Sequence, residues 1–439
     1  MNPLALELND ALEAGNSHIS AMLSGVGRQL FFPKGILSQS AEAKEHAHRI
    51  NATIGIAKEA GRTMCLDALV GPLSGIRPAE ALTYAPSFGI PDLRQAWRKA
   101  LYAKNPSLQE FPVTLPVVSC GITHGVGIMA DMWLDPGDIV VLPEMMWGNY
   151  NLIMGVRRGV DLRTFETFTP DGGYNLAALE KALQAAAAVK SKITVLLNFP
   201  HNPTGYTVTE SEAGGIVRML VGLAEDGCQV LAVCDDAYFG LVYEPDILEE
   251  SLFARLCGVH PRLLPIKLDG ATKEDYAWGL RLGFVTYGPA VQGDPGPVHN
   301  ALERKTAGAV RGSISNASHL SQTLLLKALN DPHYREQKQV KYEILKRRAQ
   351  KVKIVAGAAK YKACWDVYPF NSGYFMCLKL KSVEAEALRR HLLHQYGVGL
   401  IALGATDLRV AFSCLEEDAV EELFDTIYRG IEDLAQGAV

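Results

Sequence analysis

The stretch Leu268-Asp-Gly-Ala-Thr-Lys-Glu-Asp-Tyr-Ala-Trp-Gly-Leu-Arg-Leu-Gly283 decides the fold that the sequence predicts. Lys273 comes just after the apolar run 263–268, a predicted strand, and α/β proteins place their ligand sites at the carboxyl ends of strands. Arg281 stands eight residues later and opens a second apolar run, 282–287. The lysine amine could form a Schiff base, and the guanidinium could hold a phosphate with two hydrogen bonds. This spacing suits a ligand with an aldehyde at one end and a phosphate at the other.

Around this stretch the apolar pattern alternates between strands and helices. A lone lysine is usually a solvated surface charge. The prediction of a ligand site at Lys273 therefore depends on the pattern of the surrounding sequence. Apolar runs typical of strands lie at 116–119, 139–142, 193–197, 230–234, 263–268 and 282–287, and amphipathic stretches at 123–134, 176–188 and 210–225 separate most of them. The alternation predicts βαβ units in an α/β fold, with a mostly parallel sheet covered on both faces.

The C-terminal third predicts a second, smaller α+β domain. Long helices are expected at about 317–350, followed by short strands around 374–380 and 408–412 and by closing helices. We therefore divide the chain into an N-terminal arm with part of the small domain (1–70), a large domain (71–315) and a small C-terminal domain (316–439).

Composition argues against several classes of protein and site. The 439 residues are 48% hydrophobic and carry a formal charge of −5 without a basic block, so a nucleic-acid partner is not expected. No signal-peptide pattern and no apolar run of about 18 residues occurs, so no membrane span is expected. Eight scattered cysteines without a Cys-x-x-Cys pair indicate reduced thiols and a cytoplasmic protein. His46 and His48 lie on different faces of a helix, and His391 and His394 lack nearby acids or thiols, so no metal site is predicted.

Four further stretches follow predicted strands, and each supplies different chemistry. Ser119-Cys-Gly-Ile-Thr123 opens a helix, where free backbone N–H groups and a hydroxyl suit a phosphate. Asn202 precedes a proline and is held out of helical geometry, so its amide can point into a cleft. Either aspartate of Cys234-Asp-Asp-Ala-Tyr238 could lie beneath a pyridine ring, and Trp147 could stack on a flat aromatic group. Taken alone, each stretch also has an ordinary structural explanation, as a helix cap, a turn or an aromatic residue of the core.

Together these motifs resemble those of the pyridoxal-phosphate aminotransferases of the aspartate aminotransferase superfamily, which have fold type I. Asn-Pro-Thr-Gly at 202–205, Asp-x-x-Tyr at 235–238 and Lys-x7-Arg at 273–281 carry the resemblance, in the order that the family shows. The resemblance implies a mostly parallel sheet of the seven-stranded type in the large domain, beside the smaller α+β domain. It also implies pyridoxal 5'-phosphate as the cofactor.

The resemblance gives each matching residue an expected role. Lys273 is similar to the lysine that forms the Schiff base and moves a proton between the substrate Cα and the cofactor. Asp235, three residues before the tyrosine as in the family, would pair with the pyridinium nitrogen, so Asp236 is the less favoured acid. Tyr238 and Asn202 would contact the phenolic oxygen. The remaining matches are Gly121, Ile122, Thr123, Thr272 and Arg281 for the phosphate, Trp147 for stacking on the ring, and Arg409 with Asn202 for the substrate.

Three more matches point to the aspartate aminotransferase branch. Gly55 is similar to a backbone contact to the substrate carboxylate, and Tyr84 to a tyrosine that reaches the phosphate from the neighbouring subunit. Arg311 is similar to the neighbour's arginine that binds the distal carboxylate of a dicarboxylic substrate. A homodimer with shared active sites is therefore implied.

Three positions depart from the family pattern. Gly270 stands where a serine commonly contacts the phosphate, a contact that Thr272 could replace. Tyr276 stands where a small residue is usual, and Asn-Ala-Ser at 316–318 lacks the family's double proline. The last departure weakens the prediction for Arg311.

The sequence predicts an aminotransferase that exchanges an amino group between an L-amino acid and a 2-oxo acid by a ping-pong mechanism. Aspartate or glutamate is the favoured substrate, and aromatic donors stay open. One alternative keeps the fold and cofactor but makes the protein a carbon–sulfur lyase or a decarboxylase. Another is a cofactor-binding regulator fused to a DNA-binding module, against which the acidic balance and the lack of a helix-turn-helix pattern argue.

Overall fold

The computed structural model describes residues 1–32, 35–109 and 111–436. Its largest element is a seven-stranded sheet of β1 (Val117–Cys120), β2 (Ile139–Pro143), β3 (Asp161–Phe165), β4 (Lys192–Asn198), β5 (Gln229–Asp235), β6 (Leu263–Asp269) and β7 (Leu282–Tyr287). The spatial order is β1-β7-β6-β5-β4-β2-β3. β7 runs antiparallel to both of its neighbours, and the other paired strands run parallel. The predicted α/β fold with a mostly parallel seven-stranded sheet is confirmed.

Helices cover both faces of this sheet. The helices include α1 (Pro3–Met22), α2 (Gly25–Gln29), α3 (Ile36–His46), α4 (Pro91–Lys104), α5 (Gly121–Trp133), α6 (Leu176–Ala187), α7 (Glu210–Glu225), α8 (Gly296–Ser313), α9 (His319–Leu329), α10 (Tyr334–Ala356), α11 (Ala385–Tyr396) and α12 (Ala419–Gln436). α5 packs on β7 and β1, α6 packs on β2, β3 and β4, and α7 packs on β5 and β6. Every residue of β2 and β7 is buried, because a strand covered on both faces has no solvent-facing side.

One strand of the sheet escaped the sequence analysis. β3 has the sequence Asp-Leu-Arg-Thr-Phe and lies at the edge of the sheet, where it pairs only with β2. Asp161 and Thr164 are exposed. An edge strand keeps polar side chains in solvent, so it lacks the apolar run by which the six other strands were recognised.

The C-terminal part contains a smaller antiparallel sheet. Its strands are β8 (Trp365–Val367), β9 (Phe375–Leu380), β10 (Ile401–Leu403) and β11 (Asp407–Ala411), in the spatial order β8-β9-β11-β10. α11 packs against α12 and against β10 on this sheet. Residues 50–51 pair in parallel with residues 398–399, so the N-terminal segment joins this C-terminal part.

The two sheets meet where the large sheet ends. The carboxyl ends of β4, β5 and β6 lie side by side, at Asn198, Asp235 and Asp269. β9 and β11 of the smaller sheet face this edge: the Gly205 backbone approaches Phe375, and Arg409 reaches Asn202. A cleft between the two sheets is the result, and it holds the candidate site.

Candidate active site

A cleft of about 1030 Å³ opens at the carboxyl ends of the central strands. Most of the residues that the sequence singled out line it: Gly55, Ile122, Thr123, Trp147, Asn202, Asp235, Tyr238, Thr272, Lys273, Arg281 and Arg409. Parallel strands end at one edge of a sheet, so residues far apart in the chain meet there.

Lys273 lies in a single helical turn, Ala271–Glu274, directly after β6. Its Nζ stands 5.0 Å from the centre of the Tyr238 ring, and its backbone carbonyl accepts a hydrogen bond of 2.9 Å from Tyr374 Oη. Burial lowers the pKa of Lys273; Asp235 opposes this shift and Arg281 adds to it, and the result is a pKa of about 8. The amine is still mostly protonated at pH 7, but its uncharged fraction is far larger than that of a free lysine.

Asp235 ends β5 and holds its carboxylate in the cleft. Oδ2 accepts a hydrogen bond of 2.6 Å from Tyr150 Oη, and Oδ1 accepts one of 3.1 Å from the Ala237 backbone N–H. Burial raises the pKa of Asp235 to about 6, against the lowering effects of the Tyr150 hydrogen bond and of Lys273.

Asp236 does not line the cleft. Its carboxylate forms an ion pair with buried Lys267 and accepts a hydrogen bond of 2.6 Å from Ser251 Oγ. Successive residues of a strand point to opposite faces, so only one of the two aspartates can face the cleft. The geometry supports the choice of Asp235 over Asp236.

A chain of hydrogen bonds joins the Asn-Pro-Thr-Gly turn to Arg409. Asn198 accepts a bond of 2.9 Å from the Asn202 backbone N–H and donates one of 2.8 Å to the Asp235 carbonyl. Arg409 donates from Nη1 to Asn202 Oδ1 at 3.3 Å and from Nη2 to the Thr53 carbonyl at 2.9 Å. The glycine of the turn is required, since a Cβ on Gly205 would lie 2.0 Å from the Phe375 carbonyl oxygen.

At the other end of the cleft, Arg281 lies against the first residue of α5. A Cβ on Gly121 would stand 2.6 Å from Arg281 Nη2, and Gly121 has a φ of +72°, so the close approach depends on glycine. Thr272 Oγ1 is buried without a hydrogen-bond partner among the described residues. Gly270 cannot be replaced by the family's serine in this backbone, because a Cβ there would lie 2.4 Å from the Leu282 carbonyl oxygen.

Aromatic rings form the walls of the cleft. Trp147 meets Tyr150 edge to face, with ring centres 5.3 Å apart and planes at 89°. Phe375 lies under the Arg409 guanidinium at 4.2 Å from its ring centre. A Cβ on Gly55 would come within 3.1 Å of the Phe375 ring, so a larger residue would crowd this side of the cleft.

Three predicted residues are not part of the cleft lining: Gly121, which lies next to Arg281 of that lining, and also Tyr84 and Arg311. Tyr84 is 90% exposed. Arg311 is exposed on α8 and donates to Ser315 Oγ at 2.7 Å. Within one chain, neither residue lines the site; both were expected to act on a neighbouring subunit.

Residues that sequence reasoning missed include Tyr150, Asn198, Thr53 and Phe375. Two had a usable signal, since Asn198 directly follows the predicted strand 193–197 and Tyr150 follows Trp147 by three residues. Thr53 contributes a backbone carbonyl and Phe375 an ordinary apolar ring, and nothing in their local sequence marks them as part of a site.

Comparison with known proteins decides the family. A sequence model of the aminotransferase class I and II family matches residues 78–427. The chain belongs to the class I and II aminotransferases. This aminotransferase is 23% identical over 349 residues to an aspartate aminotransferase of Sulfurisphaera tokodaii, covering 77% of this chain and 80% of that one. It is 25% identical over 353 residues to an aspartate/prephenate aminotransferase of Cereibacter sphaeroides, covering 75% and 79%.

Solved structures show the same fold. An aminotransferase from Anaerococcus prevotii superposes with a TM-score of 0.82 at 22% identity, covering 92% of this chain and 98% of that one. A single mutant of the aspartate aminotransferase of Thermus thermophilus superposes with a TM-score of 0.73 at 18% identity, covering 93% of this chain and 99% of that one. This aminotransferase therefore has fold type I, as expected from its motifs.

In the described ranges, no group of three or more His, Cys, Asp or Glu side chains is arranged to hold a metal ion. None of the helices in the described part of the chain is both long and apolar enough to cross a membrane.

Proposed function

We propose that this chain binds pyridoxal 5'-phosphate and transfers an amino group between an L-amino acid and a 2-oxo acid by a ping-pong mechanism. The observation that carries the proposal is the meeting of Lys273, Asp235 and Arg409 in one cleft. An amine with a lowered pKa, a buried carboxylate and a buried guanidinium are the three groups that this reaction needs for the aldehyde, the ring nitrogen and the substrate carboxylate.

The residues of the cleft fit the cofactor that the family uses. Gly121 at the start of α5 lies close to the Arg281 guanidinium, which a Cβ there would displace, and the two together suit a phosphate. The unpartnered Thr272 hydroxyl adds a donor there. Asp235 would pair with the ring nitrogen and Trp147 would stack on the ring, a proposal supported by the position of both side chains in the lining of one cleft.

Each side chain has a separate role in the proposed reaction. When bound, pyridoxal phosphate supplies an electron-withdrawing ring that stabilises negative charge at the amino acid Cα. Lys273 Nζ takes the proton from Cα, and Asp235 holds a proton on the ring nitrogen. Arg409 fixes the α-carboxylate with its planar fork of donors. Burial raises the pKa of Tyr238, so its hydroxyl stays a donor across the working pH range.

Aspartate or glutamate is the proposed substrate class, with aromatic donors as the broader possibility. The relatives named aspartate aminotransferase and aspartate/prephenate aminotransferase support this class. Arg311 would bind the distal carboxylate from the neighbouring subunit of a homodimer, where Tyr84 would reach the phosphate. The exposure of both side chains in a single chain supports that arrangement.

An absorbance spectrum of the purified protein with added pyridoxal phosphate, before and after single amino acids, tests the proposal. We expect a cofactor band that changes with aspartate or glutamate while the matching 2-oxo acid accumulates. Lys273→Ala should lose this response, whereas Lys181→Ala, at an exposed position of α6, should keep it.

The other outcomes are equally informative. A response to aromatic or aliphatic donors alone would keep the aminotransferase and overturn the dicarboxylate class. Pyruvate and ammonia released from a cysteine-like substrate would indicate the carbon–sulfur lyase instead. The absence of any cofactor band would overturn the proposed role of Lys273.

A further inference from the structure

Tyr150 is a buried residue of the cleft to which the proposed function gives no role. It follows Trp147 by three residues and directly precedes Asn151–Val156, a turn of π-helix. Its side chain is 2% exposed. π-helical turns are rare and occur often at functional sites, because they displace one residue from the regular helical pattern.

The hydroxyl of Tyr150 is aimed at one oxygen of Asp235. Its Oη donates to Asp235 Oδ2 at 2.6 Å, while the Ala237 N–H donates to Oδ1 at 3.1 Å. Asn198 Nδ2 holds the backbone of the same residue through the Asp235 carbonyl, at 2.8 Å. Each carboxylate oxygen thus has one fixed donor, and rotation of the carboxylate would break both bonds.

The direction of donation between the two side chains is also fixed. Burial first, and then the charge of Asp235, raises the pKa of Tyr150 well above its ordinary value. The phenol therefore keeps its proton and acts as the donor, and the ionised form of Asp235 is the better acceptor. A hydrogen bond to a charged group favours the charged form of that group.

We propose that Tyr150 is a positioning residue, which keeps Asp235 oriented and ionised so that the proton of the pair stays on the cofactor's ring nitrogen. The inference rests on the proposed function, since it requires bound pyridoxal phosphate. Without the phenol, Asp235 becomes more basic and draws that proton towards itself. The ring then withdraws electrons less strongly.

The test compares Tyr150→Phe with Tyr206→Phe, both loaded with pyridoxal phosphate labelled with ¹⁵N at the ring nitrogen. Tyr206 is a matched control, because its Oη also donates to a carboxylate, that of Glu212, at 2.8 Å, and it does not line this cleft. The ¹⁵N chemical shift reports whether the ring nitrogen carries a proton. We expect Tyr150→Phe to shift towards the unprotonated value, and kcat to fall about tenfold with KM changed less than about threefold.

Three results would separate the possibilities. A ¹⁵N shift and kcat equal to those of Tyr206→Phe would overturn the role of Tyr150 and leave the proposed function intact. The absence of cofactor binding in the unmodified protein would overturn both. If Tyr150→Phe fails to fold by circular dichroism, site-specific 3-fluorotyrosine at position 150 replaces it; this stronger donor must move the ¹⁵N shift towards the protonated value, and no movement would overturn the role.

Discussion

At the scale of the residue, the charge state of Lys273 controls its reactivity. Only an uncharged amine attacks an aldehyde. Because burial and Arg281 lower its pKa to about 8 while Asp235 opposes the shift, we expect the rate of covalent uptake of pyridoxal phosphate by cofactor-free protein to rise with pH and to be half-maximal near that value. Stopped-flow absorbance between pH 6 and about 10 measures the rate.

Borohydride reduction followed by peptide mass mapping identifies the lysine that has reacted. Lys273→Ala serves as the control and should lack the absorbance phase altogether. A rate that reaches half its maximum only at about pH 10.4, the pKa of a free lysine, would contradict the effect of burial.

Gly121 offers a second prediction at this scale. Alanine at this position must adopt a φ of +72° and bring its Cβ within 2.6 Å of Arg281 Nη2. We expect Gly121→Ala to lower the free energy of unfolding by about 1–2 kcal/mol and to weaken pyridoxal phosphate binding about tenfold. Urea unfolding and cofactor titration measure the two effects.

Gly127 provides the matched control on the same helix. It has ordinary helical geometry, and a Cβ there would meet nothing within 4 Å. Gly127→Ala should therefore bind the cofactor normally and gain about 0.5–1 kcal/mol of stability. Equal cofactor binding by the two variants would show that the contact between Gly121 and Arg281 has no part in the site.

At the scale of the element, a buried cluster of charges holds the turn that carries Lys273. Glu274 accepts hydrogen bonds from Lys104 at 2.9 Å and from Lys338 at 2.8 Å. Asp275 forms an ion pair of 2.9 Å with Lys338 and accepts a hydrogen bond from Tyr334. Burial would raise the pKa of Glu274, but Lys104 and Lys338 lower it to about 2. Two carboxylates and two ammonium groups therefore tie this turn to α4 and α10.

Removing Lys338 should cost more stability than removing another lysine of α10. Lys338→Met leaves two buried carboxylates with one cation, so we expect the free energy of unfolding to fall by about 3–5 kcal/mol. Lys341→Met breaks only the ion pair with Glu59, whose side chain is 35% exposed, and should cost less than about 1 kcal/mol. Urea unfolding of the two variants measures both free energies.

A double variant checks the cause. Adding Asp275→Asn to Lys338→Met restores the balance of charge and should recover part of the loss. Equal stability of Lys338→Met and Lys341→Met would contradict the importance of the buried cluster.

At the scale of the whole molecule, one chain supplies a cleft but leaves Tyr84 and Arg311 outside it. If a homodimer shares its sites, two inactive variants should complement each other. In a mixed dimer, the Lys273→Ala chain supplies Arg311 to the site of the Arg311→Ala chain, whose own Lys273 is intact. After random exchange of equal amounts, we expect about a quarter of the unmodified activity with aspartate, because half of the dimers are mixed and each has one complete site.

Size-exclusion chromatography with light scattering establishes the oligomeric state in the same samples. The control mixes Lys273→Ala with Lys181→Ala, a variant that keeps both Lys273 and Arg311. The Lys181→Ala sites are complete before mixing, so the activity of this mixture should equal that of the Lys181→Ala protein alone and should not rise on subunit exchange. No gain in the Arg311→Ala mixture, in spite of subunit exchange, would place Arg311 outside the neighbour's site.

The sequence alone determined the features that depend on local order. Six strands were predicted because their residues form mostly apolar runs, and edge strand β3 was missed because its polar residues Asp161 and Thr164 face solvent. Lys273, Asp235 and Asn202 were recognised because each follows a strand, and parallel strands bring their ends to one edge of the sheet.

Only the tertiary structure decided what each of these residues contacts. Asp235 and Asp236 are neighbours in the chain, yet one faces the cleft and the other pairs with Lys267, since successive strand residues point to opposite sides. Tyr150 reaches Asp235 across 85 residues of sequence. Such contacts depend on distances in space that no local pattern encodes, whereas the strand ends that carry the chemistry follow from the order of apolar and polar residues along the chain.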